Sequence, residues 1–115
     1  MFTTIVALVL GPFLVAMAAH FIGDFPFQAD WMAANKGKSW EILAYHCLVY
    51  TATFALASCL TKGITVNPWA YLVLLITHVI IDALKARYNV VKKIWQDQLL
   101  HAIVLAALVA AGWIS

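Results

Sequence analysis

Between Ile5 and Ile22 the only side chain that is not apolar is His20. As a helix, a run of that length reaches across about 30 Å of hydrocarbon. The pattern then recurs. Ile42 to Leu60, Pro68 to Arg87 and Ile94 to Ile114 are apolar stretches of similar reach, joined by short polar connections. Such runs specify an all-α protein, a four-helix transmembrane bundle in one domain over residues 1–115, with spans expected at about 4–24, 40–60, 68–87 and 94–114. Composition agrees: the chain is 65% hydrophobic and 10% charged, against about 25% charged in soluble proteins. That balance excludes a disordered or nucleic-acid-binding protein and makes the lipid bilayer the first partner. The first segment has no basic run ahead of it and no soluble domain behind it, so it reads as a retained span rather than a signal peptide. Cys47 and Cys59 fall in the second span about 18 Å apart, too far to bond to each other, and are expected as small core residues.

The ends of the spans carry recognisable punctuation. Gly11-Pro12 is expected to kink the first helix, and Phe25-Pro26-Phe27 to end it at the interface. Asp30 reads as the cap of a short turn, Trp31 to Lys36, closed by Gly37. Ser39 reads as the cap of the second span, with Glu41 in its first turn, and Asn67-Pro68 opens the third. Trp31, Trp40 and Trp69 suit the membrane surface. Ala106, Ala107, Ala110, Ala111 and Gly112 make the end of the fourth span narrow enough for close helix packing.

Charge sets an orientation. Six of the seven Lys and Arg residues lie in or beside the first and third connections, and only Lys62 lies in the second. By the positive-inside rule those two connections are cytoplasmic, giving an N-out, C-out protein, multi-pass in a bacterial inner membrane.

The polar groups inside the spans then fall at one depth. His20 and Asp24 end the first span, His46 begins the second, His78 and Asp82 end the third, and Asp97 and His101 begin the fourth. Each His–Asp pair is spaced four apart, one helical turn on one face. The arrangement reads as two tandem helical hairpins, each closing its first helix with H-x3-D and opening its second with a histidine; Ile42 stands where the second hairpin has Asp97. Ionisable groups in a span cost about 2.5–3.5 kcal/mol each at the membrane centre, so they normally face the bundle interior and have a function. Imidazoles and carboxylates from several helices suit a divalent Zn, Fe or Mn ion. The candidate ligands are His20, Asp24, His46, His78, Asp82, Asp97 and His101, with some Asp residues as partners that orient the rings if only one ion is bound. Gln28, Asp30 and Gln98 read as capping or interface groups, with Gln98 near enough to reach the layer, and Lys85 as a partner of Asp82 or a snorkelling side chain.

Together these motifs carry a resemblance over nearly the whole chain. H-x3-D-F-x2-Q in the first span, Asn35-Lys36 after it, His46, H-x3-D-x2-K in the third span and D-Q-x2-H in the fourth resemble a family of small bacterial and phage integral membrane proteins classed as a domain of unknown function. The layout is also loosely similar to that of inner-membrane metal-dependent hydrolases. The first resemblance implies a membrane protein without a defined chemistry, and the second is an analogy of layout.

Three functions fit these residues. The first is a metal-dependent hydrolase of a lipid or membrane-associated ester, with Asp24 or Asp97 as general base. No serine nucleophile signature or Gly-rich phosphate loop suggests covalent serine chemistry or NTP hydrolysis. The second is a proton- or cation-conducting protein, in which a homo-oligomer could complete a path. The third is a non-enzymatic membrane partner of the phage exclusion or lysis-associated type, with the polar layer as a structural staple.

Overall fold

The computed structural model describes residues 2–115. Five helices follow one another: α1 (Phe2–Asp24), α2 (Asp30–Asn35), α3 (Trp40–Thr61), α4 (Pro68–Ala86) and α5 (Ile94–Ala110). Among the described residues the only extended pairing is an isolated antiparallel bridge between Val66 and Ile114. The first, third and fourth helices are long and apolar enough to cross a membrane; α5 is apolar and 17 residues long, or about 25 Å. It stops short of the expected limit at residue 114 because Gly112 adopts φ 78° and turns the chain. The amide of Asn67 then donates to the carbonyl of Trp113, and Thr65 and Ser115 exchange both backbone bonds.

Most helix starts follow their sequence signals. Ser39 Oγ accepts from the amide of Ile42, and Asn67 Oδ1 accepts from the amide of Trp69 with Pro68 in the first turn. α1 continues as helix through Pro12. Asp30 is not a cap: the carbonyl of Ala29 accepts from Ala33, so the helix begins one residue earlier and Asp30 lies in its first turn, where its charge suits the helix dipole.

α1 packs on α3 and α5, and α4 packs on the same two helices, so the four long helices form a closed ring in which neighbours run antiparallel. The short α2 lies against α3. One half of the ring is filled by Tyr50, Phe54, Leu74, Leu105 and Leu108, closed below by Ile64, Val66 and Ile114. The other half has a smaller apolar cluster of Leu43, Cys47 and Ala83 and holds all four histidines. Cys59 is exposed on the outer surface of α3, unlike Cys47, and takes no part in the core. Trp31, Trp40 and Trp95 are exposed at the histidine end of the ring, and Trp69 at the opposite end, the distribution expected of two aromatic belts.

Two glycines mark where backbones must approach. A Cβ on Gly23 would lie 3.0 Å from Thr53 Oγ1 and 3.2 Å from the Tyr50 ring, so the absence of one lets the end of α1 close onto α3. A Cβ on Gly37 would lie 2.4 Å from the carbonyl oxygen of Ala86, where the turn after α2 presses on the end of α4. Arg87 fastens the same junction, donating to the Gly37 carbonyl at 3.3 Å and covering the Trp40 ring at 4.2 Å. Gly37→Ala is therefore expected to destabilise the protein by about 1–3 kcal/mol, the usual range for overpacking. Thermal unfolding in detergent, beside wild type, measures it; an unchanged midpoint would contradict the tight junction.

Candidate metal centre

Each polar residue of the layer is placed by the helix that carries it. Spacing of four puts Asp24 one turn beyond His20, Asp82 one turn beyond His78 and His101 one turn beyond Asp97, and the ring turns all of these faces inward. His20, Asp24, His46, His78, Asp82, Asp97 and His101 are all buried. They divide into two overlapping groups, Asp24–His46–His78–Asp82 and Asp24–Asp97–His101, whose donor atoms lie within 4.8 Å of one another in each group.

The first group is compact. His46 Nε2 lies 3.0 Å from His78 Nε2, 3.2 Å from Asp24 Oδ1 and 3.1 Å from Asp82 Oδ2; His78 Nε2 lies 3.5 Å from each of the same two oxygens. Metal–ligand bonds of about 2.0–2.1 Å in a tetrahedron separate the ligand atoms by about 3.3–3.4 Å. The five separations fall on both sides of that value. Two nitrogens and two oxygens thus converge from three helices, with five of their six separations close to that spacing, in a group able to hold a metal ion. Ring stacking holds the imidazoles: Tyr50 lies on His78 at 3.7 Å and 15°, and His101 on His78's ring at 4.4 Å and 25°. The Nδ1 atoms of His46 and His78 find no hydrogen-bond partner in the protein.

The second group is looser. His101 Nε2 lies 3.4 Å from Asp97 Oδ1 and 3.6 Å from Asp82 Oδ1. Both His101 Nε2 and Asp97 Oδ1 are buried without a hydrogen-bond partner. Asp24 and Asp82 each present an oxygen to the first group; Asp82 offers its other oxygen to His101.

His20 belongs to neither group. Its Nδ1 is 2.7 Å from the Tyr50 hydroxyl and its Nε2 is 2.6 Å from Gln98 Oε1. The Gln98 amide nitrogen donates to Asp24 Oδ2 at 3.2 Å and Asp97 Oδ2 at 3.0 Å. That fixes the amide orientation, so Oε1 accepts from His20 Nε2–H and the Tyr50 hydroxyl donates to Nδ1. A chain of donors from Tyr50 through His20 and Gln98 thus ends on two of the three carboxylates and holds them in place.

Two lysines close the layer. Lys36 Nζ is 2.7 Å from Asp82 Oδ2 and Lys85 Nζ is 3.3 Å from Asp97 Oδ2. The expected pairing of Lys85 with Asp82 is not the one formed, because Asp82 turns into the ring toward His46 while Lys85 faces α5. Sequence reasoning gave no role to Tyr50 or Lys36 and only a peripheral one to Gln98. Lys36 and Gln98 nevertheless stand inside the N-K and D-Q-x2-H motifs, which was the available signal. Gln28 and Asp30 stay outside the layer; Gln28 donates to the backbone carbonyl of Asp24.

Fold and site together define an all-helical protein with three helices able to cross a membrane and a buried His/Asp cluster able to hold a metal ion. The chain belongs to the family described as "Protein of unknown function (DUF3307)", which matches residues 12–115. No curated protein and no solved structure matches the chain.

The donor chain generates an ordered expectation. Gln98→Ala removes donors from two buried carboxylates and an acceptor from His20, a loss of about 1–3 kcal/mol. Gln98→Glu, which adds a fourth carboxylate to the layer, is expected to lower the thermal midpoint further in chelator-treated protein. The reverse order would mean that Gln98 does not hold the carboxylates.

Proposed function

We propose that this chain is a four-span protein of a bacterial inner membrane, with both termini outside. In this reading it acts at the cytoplasmic face as a metal-dependent hydrolase of a lipid or membrane-associated ester. The observation that carries the reading is the convergence of His46 Nε2 and His78 Nε2 on each other and on Asp24 Oδ1 and Asp82 Oδ2 at 3.0–3.5 Å. The orientation rests on the charge pattern: Lys36, Lys38, Lys85, Arg87, Lys92 and Lys93 all belong to the histidine end of the ring.

In this reading the ion would be held among His46, His78, Asp24 and Asp82 with at least one position left open to water or ester, and His20 is a positioning residue acting through Gln98. A divalent ion bound there would supply Lewis acidity toward the ester and toward water. Asp97 is the general base. Its Oδ1 has no hydrogen-bond donor, it stands beside His101, and its Oδ2 is anchored by Lys85 and Gln98. Asp24, the other candidate base, is committed to the ion through Oδ1. His101 stabilises the developing negative charge next to Asp97 or shares its proton.

The conducting reading finds less support, since Phe54, Leu74, Leu105 and Leu108 fill the other half of the ring. Thr51, Thr53 and Thr77 spend their hydroxyls on backbone carbonyls of their own helices. A structural staple is favoured by one observation, the two ion pairs made by Lys36 and Lys85.

Elemental analysis of the detergent-purified protein separates these readings. Wild type is expected to carry one or more equivalents of a transition metal per chain, lost in His78→Ala/Asp82→Ala. A folded wild type that holds no metal after reconstitution would remove the hydrolase. Asp97→Asn is expected to keep its metal and lose at least about 100-fold in turnover, the scale of general-base catalysis; full activity in that variant would move the base elsewhere.

A further inference from the structure

The ester is not specified by the metal ligands, and the surroundings of the layer narrow it. A pocket of about 410 Å³ opens between α2, the turn after it and the end of α4, and it is lined by Gln28, Ala33, Lys36, Gly37, Lys38 and Lys85. The volume is in the range of small-molecule sites. None of the candidate ligands lines it; two of its lysines connect it to them. Lys36 and Lys85 line the pocket and also bond Asp82 and Asp97, while Gln28 bonds the carbonyl of Asp24. The Lys36 side chain is 11% exposed and that of Lys85 33%, so the two ammonium groups stand at the boundary between pocket and carboxylates.

Charge decides what can enter. Three buried carboxylates against two ammonium groups leave the layer one positive charge short of neutral when the histidines are counted as neutral. A single divalent ion would convert that deficit into an excess of one positive charge, and Asp82, once engaged by it, would no longer hold Lys36 as strongly. In a bundle whose other half is apolar, such an excess is poorly screened and favours an anionic occupant. A neutral carboxylic ester leaves the excess uncompensated. A phosphate group cancels it and offers oxygens to Lys36, Lys38 and Lys85 at once.

We propose that this lysine-lined pocket receives a phosphate group and that the substrate of the metal centre is a phosphate ester. The proposal rests on the metal reading above. The phosphate can belong to a lipid headgroup, for which Trp31 and Trp40 put the pocket at the right depth, or to a soluble phosphate ester.

The test uses the full-length protein in detergent, loaded with Mn²⁺, with inorganic phosphate as the probe and ³¹P line broadening as the readout. Phosphate is expected to be broadened by the wild type. Lys38→Gln, which leaves both ion pairs intact, is expected to weaken phosphate binding about 3- to 10-fold. Lys85→Gln is expected to weaken it at least 10-fold with manganese content unchanged, and Lys85→Arg to restore most of it. Competition by phosphatidic acid in mixed micelles assigns the lipid source, and competition only by water-soluble p-nitrophenyl phosphate assigns the soluble one; either supports the pocket. Bound manganese without phosphate broadening, or broadening that no lysine variant alters, would overturn the proposal while leaving the metal site standing. Turnover of the neutral ester p-nitrophenyl butyrate in preference to both phosphates would also overturn it. Failure to bind manganese would instead fall on the metal reading.

Discussion

Three carboxylates buried in one layer of an apolar helix ring set the terms for the rest of the structure. Asp24, Asp82 and Asp97 come from three different helices, and like charges so close together in a poorly polarisable interior repel strongly. Every unusual feature of this end of the molecule supplies them with positive charge or donors. Lys36 arrives from the turn after α2, Lys85 from the last turn of α4, and Gln98 reaches two of the carboxylates at once. The tight contact of Gly37 with Ala86 serves the same end, since it keeps the turn that carries Lys36 pressed against α4. The pairs are unlike in what they leave available: both Lys36 and Lys85 remain at the edge of a pocket, whereas the His20–Gln98 arm is internal.

The long helices and the gathering of the polar residues at one end of the ring were legible in the sequence because both depend on local properties, namely the length of an apolar run and a spacing of four. Which histidine does what was not. His20 and His78 occupy equivalent places in the two hairpins, each four residues before an aspartate. They part company because Tyr50 and Gln98 reach His20, whereas the Tyr50 ring only stacks on His78 and leaves its Nε2 turned toward His46. Those partners lie 30 and 78 residues from His20 along the chain, and no periodicity reports contacts of that range. The lysine partners were hidden for the same reason: Lys85 is nearer in sequence to Asp82, but the ring geometry gives it to Asp97. The early end of α5 depends on a backbone pairing with the α3–α4 connection, again a matter of tertiary contact.

The ring order itself fits the hairpin repeat. An axis along the bundle would exchange α1 with α4 and α3 with α5, and the four observed helix contacts map onto one another under that exchange. The site departs from the symmetry at the two residues that bind His20, for neither has a polar counterpart: the equivalent of Tyr50 is Leu105 and that of Gln98 is Leu43, counted with His46 aligned to His101. The two histidine–aspartate pairs are thus alike in spacing and unlike in partners. Both hairpins give two residues to the compact group, but His78 turns its Nε2 into that group whereas its counterpart His20 is a brace.

The apolar half of the ring, from Phe54 and Leu74 down to Ile114, closes the polar layer off on that side. Under the proposed hydrolysis, entry and exit would share the doorway lined by Lys36 and Lys85. A reaction that splits a molecule in such a chamber releases both fragments past the same lysines. The more anionic fragment, held longest by them, is the last to go, so departure rather than bond cleavage would set the pace of the cycle.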